Sequence, residues 1–291
     1  MKRFLTAALA LTLGAAGIWA AGSERLKDPG TEPALPAGLD IQDRPYPTLH
    51  YARFPGRAFG GALRWDQVVQ GELGSCFFLS TLAEIAKTHP DYLARSLRDG
   101  GNGAYLVTLY GRGGRREAVA VDDKFPATAS GAPYFGRGLD ADEIRPALFE
   151  KAFAKLSGGY SAIDGGDATD AFKALTGAAG KDYQTESLTD DEAWRLLASA
   201  RKADSPVVAS TKELADLKRL TGREDLNGVI DDHVYAVVDV SEKAGGRAVR
   251  LYTPLSPGDA GYAKDGPRFL ELRLTDFRTY FDVVTIGSVR D

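Results

Sequence analysis

The stretch Gln70-Gly71-Glu72-Leu73-Gly74-Ser75-Cys76-Phe77-Phe78-Leu79-Ser80 decides how the chain is to be read. It passes from a loop marked by two glycines into an apolar run. Leu79, Leu82, Ala83 and Ala86 then recur at helical spacing until Pro90. The pattern predicts a helix that begins at or near Cys76 and stops before the proline. At such a helix start, unpaired backbone N–H groups and the macrodipole favour a thiolate by about 0.3–2 kcal/mol. That is worth roughly 0.2–1.5 pKa units for a thiol, so a reactive Cys76 needs a second group beside it.

Cys76 is the one cysteine in 291 residues and has no internal disulfide partner. A lone cysteine is most often a small buried hydrophobe; its place at a helix start adds a second reading, that of a nucleophile. Three histidines are available as its base. His89 lies thirteen positions further along, about 20 Å away at about 1.5 Å per helical residue. His50 stands in an extended stretch near Pro47 with nothing to orient it. His233 opens Val234-Tyr235-Ala236-Val237-Val238-Asp239-Val240, a β-branched strand that could carry it to the thiol from another part of the fold. A histidine at a strand start is commonly just a satisfied core residue. Its rigid support nonetheless makes His233 the better partner for Cys76.

Around this pair the composition is that of an ordinary globular protein, 44% hydrophobic and 26% charged. A net charge of −4 without a basic stripe argues against a nucleic-acid partner. No internal repeat, zinc-type Cys/His spacing or phosphate-binding glycine loop is present. Lys2-Arg3, the apolar run Phe4 to Ala21 and the small residues Ala20, Ala21 and Gly22 have the pattern of an export signal, cut after Ala20 or Gly22. The alternative is an uncleaved anchor, since about eighteen apolar residues can just span a bilayer. Export with cleavage is the reading adopted, which places the mature protein in the periplasm or outside the cell without stable membrane insertion. Residues 22–47 contain five prolines and read as an extended linker outside the core.

The remainder divides into two expected lobes, 48–200 with the Cys76 helix and 201–291 with His233. The first would hold a hairpin, 104–110 and 117–121 about a glycine turn, and a helix from Glu143 to Leu156 with Ile144, Leu148, Phe149 and Phe153 at core spacing. A helix from Asp190 to Ser199 bridges to the second lobe. Strands at 206–210, 247–252, 269–274 and 283–289 join the His233 strand in a mostly antiparallel sheet or barrel.

At these residues the chain resembles the calpain-type cysteine peptidases of the papain-like superfamily. The segment Gln70 to Ser80 is similar to the family pattern Q-G-x-L-G-[DS]-C-[WF]-x-L. Val121 to Pro126, Leu148 to Leu156, Gly158-Gly159-Tyr160 and Gly165-Gly166 follow in the family's order. Asp232 to Val237 is similar to its G-H-A-Y-x-V, and Leu274 to Phe281 to its closing segment. The resemblance implies an α+β, two-lobed papain-like fold and a secreted, bacterial-type endopeptidase acting on protein or peptide. Cys76 would attack the scissile carbonyl and His233 would pair with it as imidazolium. The Gln70 side-chain amide and the Cys76 backbone N–H would hold the oxyanion.

The family's Asn-Pro-Trp falls where this chain has Thr253-Pro254-Leu255. Thr253 then either accepts from imidazole Nδ1–H, loosely or through a water because its side chain is short, or is a strand residue without a role. Asp232 or Asp259 are the alternative orienting groups. Leu255 in place of the indole would leave the pair less shielded from water. No resident cofactor is expected; calcium at Asp123 and Glu150 is possible by analogy, against the simpler reading of ion-paired or exposed carboxylates. Two other functions share these features: a catalytically weak domain that binds a peptide or protein partner, and a transglutaminase-like acyl transfer.

Overall fold

The helix that starts at the cysteine is buried on all sides. The computed structural model describes residues 30–222, 228–256 and 268–290. In it Cys76–Thr88 forms a helix (α1), and a short helix, Pro90–Ser96 (α2), starts at the proline that was expected to end it. Every residue from Phe77 to Ala86 is buried, so α1 is a core helix rather than an amphipathic one. Its polar side chains find partners in place, except that Glu84 Oε1 is buried without one. Thr81 Oγ1 donates to Phe77 O at 2.7 Å, and Ser80 Oγ donates to Val234 O at 2.6 Å. The Glu84 carboxylate meets Arg201 at 2.9 Å and accepts from Val207 N at 3.1 Å.

Short strands surround α1 in the first half of the chain: His50–Arg53 (β1), Val68–Val69 (β2), Leu97–Gly101 (β3), Ala104–Tyr110 (β4), Arg116–Asp122 (β5), Lys124–Ala127 (β6) and Arg137–Gly138 (β7). They make the antiparallel sets β3-β4-β5, β1-β6 and β2-β7. Two helices complete this half, Arg145–Ser157 (α3) and Ala168–Thr176 (α4). The Phe78 and Phe153 rings of α1 and α3 stack with centroids 4.4 Å apart.

The second half builds one six-stranded sheet. Its strands are Lys181–Gln184 (β8), Val207–Thr211 (β9), Val234–Lys243 (β10), Gly246–Tyr252 (β11), Phe269–Arg273 (β12) and Phe281–Ile286 (β13), in the order β12-β11-β10-β9-β13-β8. Helices Asp190–Lys202 (α5), Leu214–Thr221 (α6) and Leu274–Tyr280 (α7) accompany it. Strand alternation gives the sheet two apolar faces. Val234, Ala236 and Val238 of β10 enter the core shared with α1, while Tyr235 and Val237 enter a second core with Leu197 of α5 and Phe277 of α7. The sheet therefore separates the two cores, and α1 docks on the end of β10 next to His233.

Two expected boundaries move. Strand β8 is the edge of the large sheet, and Ala193, Leu197 and Ala200 of α5 pack in the second core. The seam between lobes thus falls between α4 and β8, about twenty residues before 200, because residues 181–200 bury their apolar side chains on the sheet. The proline-rich segment is likewise no free linker over its described part. Leu35 and Tyr46 pack on the first core, Ala34 O accepts from Tyr160 N at 3.0 Å, and Glu32 pairs with Lys151 at 2.6 Å. Residues 30–47 are a strap across the domain. The expected export signal, 1–21, lies outside the described residues. No helix among the described residues is long and apolar enough to cross a membrane.

Candidate active site

The loop before α1 is held from beneath. Gly71 has φ +71°, and a Cβ there would come within 2.6 Å of the Tyr134 and Phe135 carbonyls, so the turn into the cysteine loop requires glycine. Ser75 caps α1 through its backbone carbonyl, which accepts from Phe78 N and Leu79 N. Its side chain turns away and donates to Glu150 Oε1 at 2.6 Å; Glu150 Oε2 accepts from Gly136 N at 2.8 Å. Burial pushes the Glu150 carboxyl up to about 7 against these two hydrogen bonds. Glu150 therefore fixes the residue that precedes the cysteine.

Cys76 is the first residue of α1 and faces a cleft that His233 and Gln70 also line. Burial pushes its thiol up to about 11, although the backbone N–H groups of Val234 and Phe77 draw it down. Val234 is the residue after His233, so the start of β10 lies against the sulfur. His233 is 5% exposed, and burial lowers its imidazole to about 3. Burial thus works against charge on both groups.

The imidazole is fixed at its outer nitrogen. His233 Nε2 lies 2.9 Å from Thr253 Oγ1, which also accepts from Leu255 N at 3.2 Å. This differs from expectation in two respects. The contact is direct rather than loose, since Thr253 is wholly buried at the end of β11, and it uses Nε2 rather than Nδ1. Nδ1 is left as the nitrogen free to serve the thiol. Nor is the histidine left wet by the absence of an indole: it is buried, and the Tyr235 ring stands perpendicular to it at 5.0 Å. Asp232, at φ +43°, also lines the cleft, and its charge raises the Cys76 thiol. Asp259 lies outside the described residues.

Gln70 is 3% exposed. Its backbone N–H donates to Pro254 O at 2.9 Å, and its Nε2 donates to Leu73 O at 2.5 Å, while Oε1 is buried without a partner. The amide is thus built into the cleft wall and tied to the Thr253 loop, where sequence alone reads an ordinary loop residue. The structure brings Cys76, His233, Thr253 and Gln70 to one place.

Residues 46–257 match the calpain family cysteine protease domain. The chain belongs to the calpain family. Among its relatives is the calpain-type cysteine protease DEK1 of Zea mays, 29% identical over 205 residues that cover 67% of this chain and 9% of DEK1. Calpain-9 of Mus musculus is 28% identical over 237 residues, 77% of this chain and 34% of that protein. The calpain-2 catalytic subunit of Gallus gallus is 29% identical over 191 residues, 63% and 26% respectively. The chain spans about a third or less of these relatives. Its α+β architecture is the papain-like fold of the calpain family.

The two carboxylates suggested for calcium have protein partners here, although Asp123 Oδ1 is buried without one. Both Glu150 oxygens are taken by Ser75 and Gly136. Asp123 Oδ2 faces the Arg53 guanidinium at 3.3 Å, which opposes a second cation. Calcium needs six to eight oxygens, and no group of three or more His, Cys, Asp or Glu side chains able to hold a metal occurs among the described residues. Two residues of the site escaped sequence reasoning. In sequence Glu150 reads as a carboxylate open to calcium, and nothing local marks it as the anchor of Ser75. Asp164 was not noticed at all, and its carboxylate holds Gly74 N at 2.8 Å. An Asp followed by two glycines was the available signal.

Proposed function

We propose that this calpain-family chain is a cysteine endopeptidase in which Cys76 is the nucleophile and His233 its base. The observation that carries this reading is the cleft itself. A cysteine at the start of a core helix and a buried histidine at the start of the adjoining strand line one cavity of about 670 Å³, and the histidine is pinned by Thr253. In the chemistry that follows, the thiol proton passes to His233 Nδ1 as the Cys76 sulfur bonds to the peptide carbonyl carbon. The carbonyl oxygen takes the negative charge and is met by the Cys76 backbone N–H and the Gln70 amide. The C–N bond breaks, and the amine leaves with the proton from Nδ1. Water then attacks the thioester, giving its proton to Nδ1, and the departing sulfur recovers it.

Burial disfavours charge on thiol and imidazole alike, so proton transfer is coupled to attack. The buried imidazole accepts a proton readily only once the oxyanion and sulfur are forming beside it. A protein or peptide substrate suits an open cleft of this size. The leader-like residues 1–21 support an exported, secreted or periplasmic enzyme of bacterial type.

Labelling by a peptidyl epoxide at neutral pH tests the site. The parent chain should be modified at Cys76 and should cleave an unfolded protein substrate, and Cys76→Ala and His233→Ala should each abolish cleavage. Cleavage that survives Cys76→Ala would remove the mechanism.

A further inference from the structure

A seven-residue turn reaches the cleft just ahead of the segment matched to the family model. Residues 39–45 precede the segment matched to the calpain family, which begins at 46. Leu39 and Pro45 close the turn as an antiparallel bridge. Within it the Asp40 carboxylate accepts from Gln42 N at 2.9 Å and Arg44 N at 2.8 Å, and pairs with Arg44 Nε at 2.7 Å. The turn is then fastened to the cysteine loop by one residue. Asp164 Oδ2 accepts from Ile41 N at 3.0 Å and Tyr46 Oη at 2.6 Å, while Asp164 Oδ1 accepts from Gly74 N at 2.8 Å. Gly74 is two residues before the nucleophile.

The fastening sets Ile41 down on bare backbone. A Cβ on Gly165 would come within 2.5 Å of Ile41 Cδ1, and one on Gly74 within 3.0 Å of Ile41 Cγ2. Gly165 N donates to Gly74 O at 2.9 Å, so the two glycines form one ledge under the isoleucine. Ile41, Gln42 and Arg44 line the same cleft as Cys76 and His233. Ile41 is 54% exposed, whereas Leu73, Leu255, Val229 and Val234 on the cleft walls are all nearly covered. The charged lining is mostly acidic: Glu72, Asp167, Asp231 and Asp232 against Arg44. An exposed apolar face held rigidly in a polar cleft is a binding feature, since nothing in the described fold covers it.

We propose that Ile41 is a specificity-determining residue, presented by the 39–45 turn, whose exposed face receives one apolar side chain of the substrate close to the scissile bond. This rests on the reading of Cys76 as nucleophile. The residue reaches the cleft by the turn's own hydrogen bonds and by Asp164, so the preference depends on the strap that carries it. An apolar side chain laid on half-exposed isoleucine is favoured over a polar one at the low end of what such contacts give, about tenfold in kcat/KM.

The experiment compares the full chain with Ile41→Ala and Ile41→Asp on peptides in which each position flanking the scissile bond is Leu, Asn or Lys in turn. The parent should favour Leu at one position by about tenfold. Ile41→Ala should lose that preference at that position alone, and Ile41→Asp should turn it towards Lys, with the other positions unaltered. Unchanged profiles in both variants overturn the proposal. So does a uniform rise for every side chain in Ile41→Ala, which would make Ile41 a plug rather than a reader. Epoxide labelling of Cys76 separates the two levels. Labelled, peptide-cleaving variants with an unchanged profile defeat this inference alone. Failure of the parent chain to label or cleave defeats the peptidase reading and this inference with it. Thermal unfolding of the variants, whose substituted side chain is half in solvent, shows whether they are folded.

Discussion

At Thr253 a single hydroxyl decides how the imidazole is held. Nε2 of His233 sits 2.9 Å from it, in a wall where Thr253 is fully buried. A neutral hydrogen bond of this kind is worth about 0.5–1.5 kcal/mol, so Thr253→Ala should lower kcat by about 2- to 12-fold with little change in KM. An unaltered kcat would show that another contact orients the ring. Thr253→Asn is expected to give less than a restoration of the family pattern suggests, because the larger amide must enter a space already filled to the hydroxyl. Gln70→Ala is a sharper test. Loss of an oxyanion donor costs about 10²–10³ in kcat, and a kcat within threefold of the parent would remove Gln70 from the mechanism. Both positions were legible only through resemblance. No periodicity marks a threonine after a tyrosine, and nothing in sequence tells which imidazole nitrogen it will meet.

At the scale of elements, α1 was readable because Leu79, Leu82, Ala83 and Ala86 repeat at helical spacing and Pro90 stops them. What the spacing concealed was the burial of the opposite face. Ser80, Thr81 and Glu84 look like a solvent side and are instead wholly buried, each by a partner distant in sequence or by its own helix. The strap misleads in the other direction. Its prolines have a linker's composition, while its attachment depends on side-chain and carbonyl contacts such as Glu32–Lys151 that no local pattern announces. The Glu84–Arg201 contact joins α1 to α5 at 2.9 Å, beside the start of β9. Burial raises the Glu84 carboxyl while Arg201 lowers it, so the charge depends on its partner. Arg201→Met leaves that carboxylate only the Val207 N–H and the charge of Lys87, and should destabilise the protein by up to about 3–5 kcal/mol. Adding Glu84→Gln should recover part of the loss in urea unfolding; if the double variant is no more stable than Arg201→Met, the guanidinium acts by packing and not by charge.

Over the whole molecule, burial makes stability depend on pH through two groups of opposite sign. Unfolded histidine titrates near 6.5, and folded His233 is lowered to about 3 by burial. Below pH 6.5 the unfolded chain takes up a proton that the folded chain refuses. His233 therefore costs nothing above pH 6.5, and stability is lost as pH falls towards 3, by at most about 1.4 kcal/mol per pH unit. Glu150 runs the other way, with its folded value raised to about 7 from an ordinary carboxylate near 4.5. Between those values the folded chain keeps a proton that the unfolded chain has released, so stability falls as pH rises. From pH 4.5 to 6.5 the two slopes oppose each other. Glu84, also raised by burial, adds to the Glu150 slope but is common to every variant below. The lowered carboxylates Asp40, Asp122, Asp191 and Glu192 titrate beneath this window. Relative to the parent chain, His233→Gln should make unfolding free energy fall more steeply with rising pH between 4.5 and 6.5, and Glu150→Gln should make it rise. Urea unfolding at pH 4.5, 5.5 and 6.5 measures both differences. Slopes displaced in the same direction would mean that one of these groups is solvated in solution, and parallel lines that neither burial governs its titration.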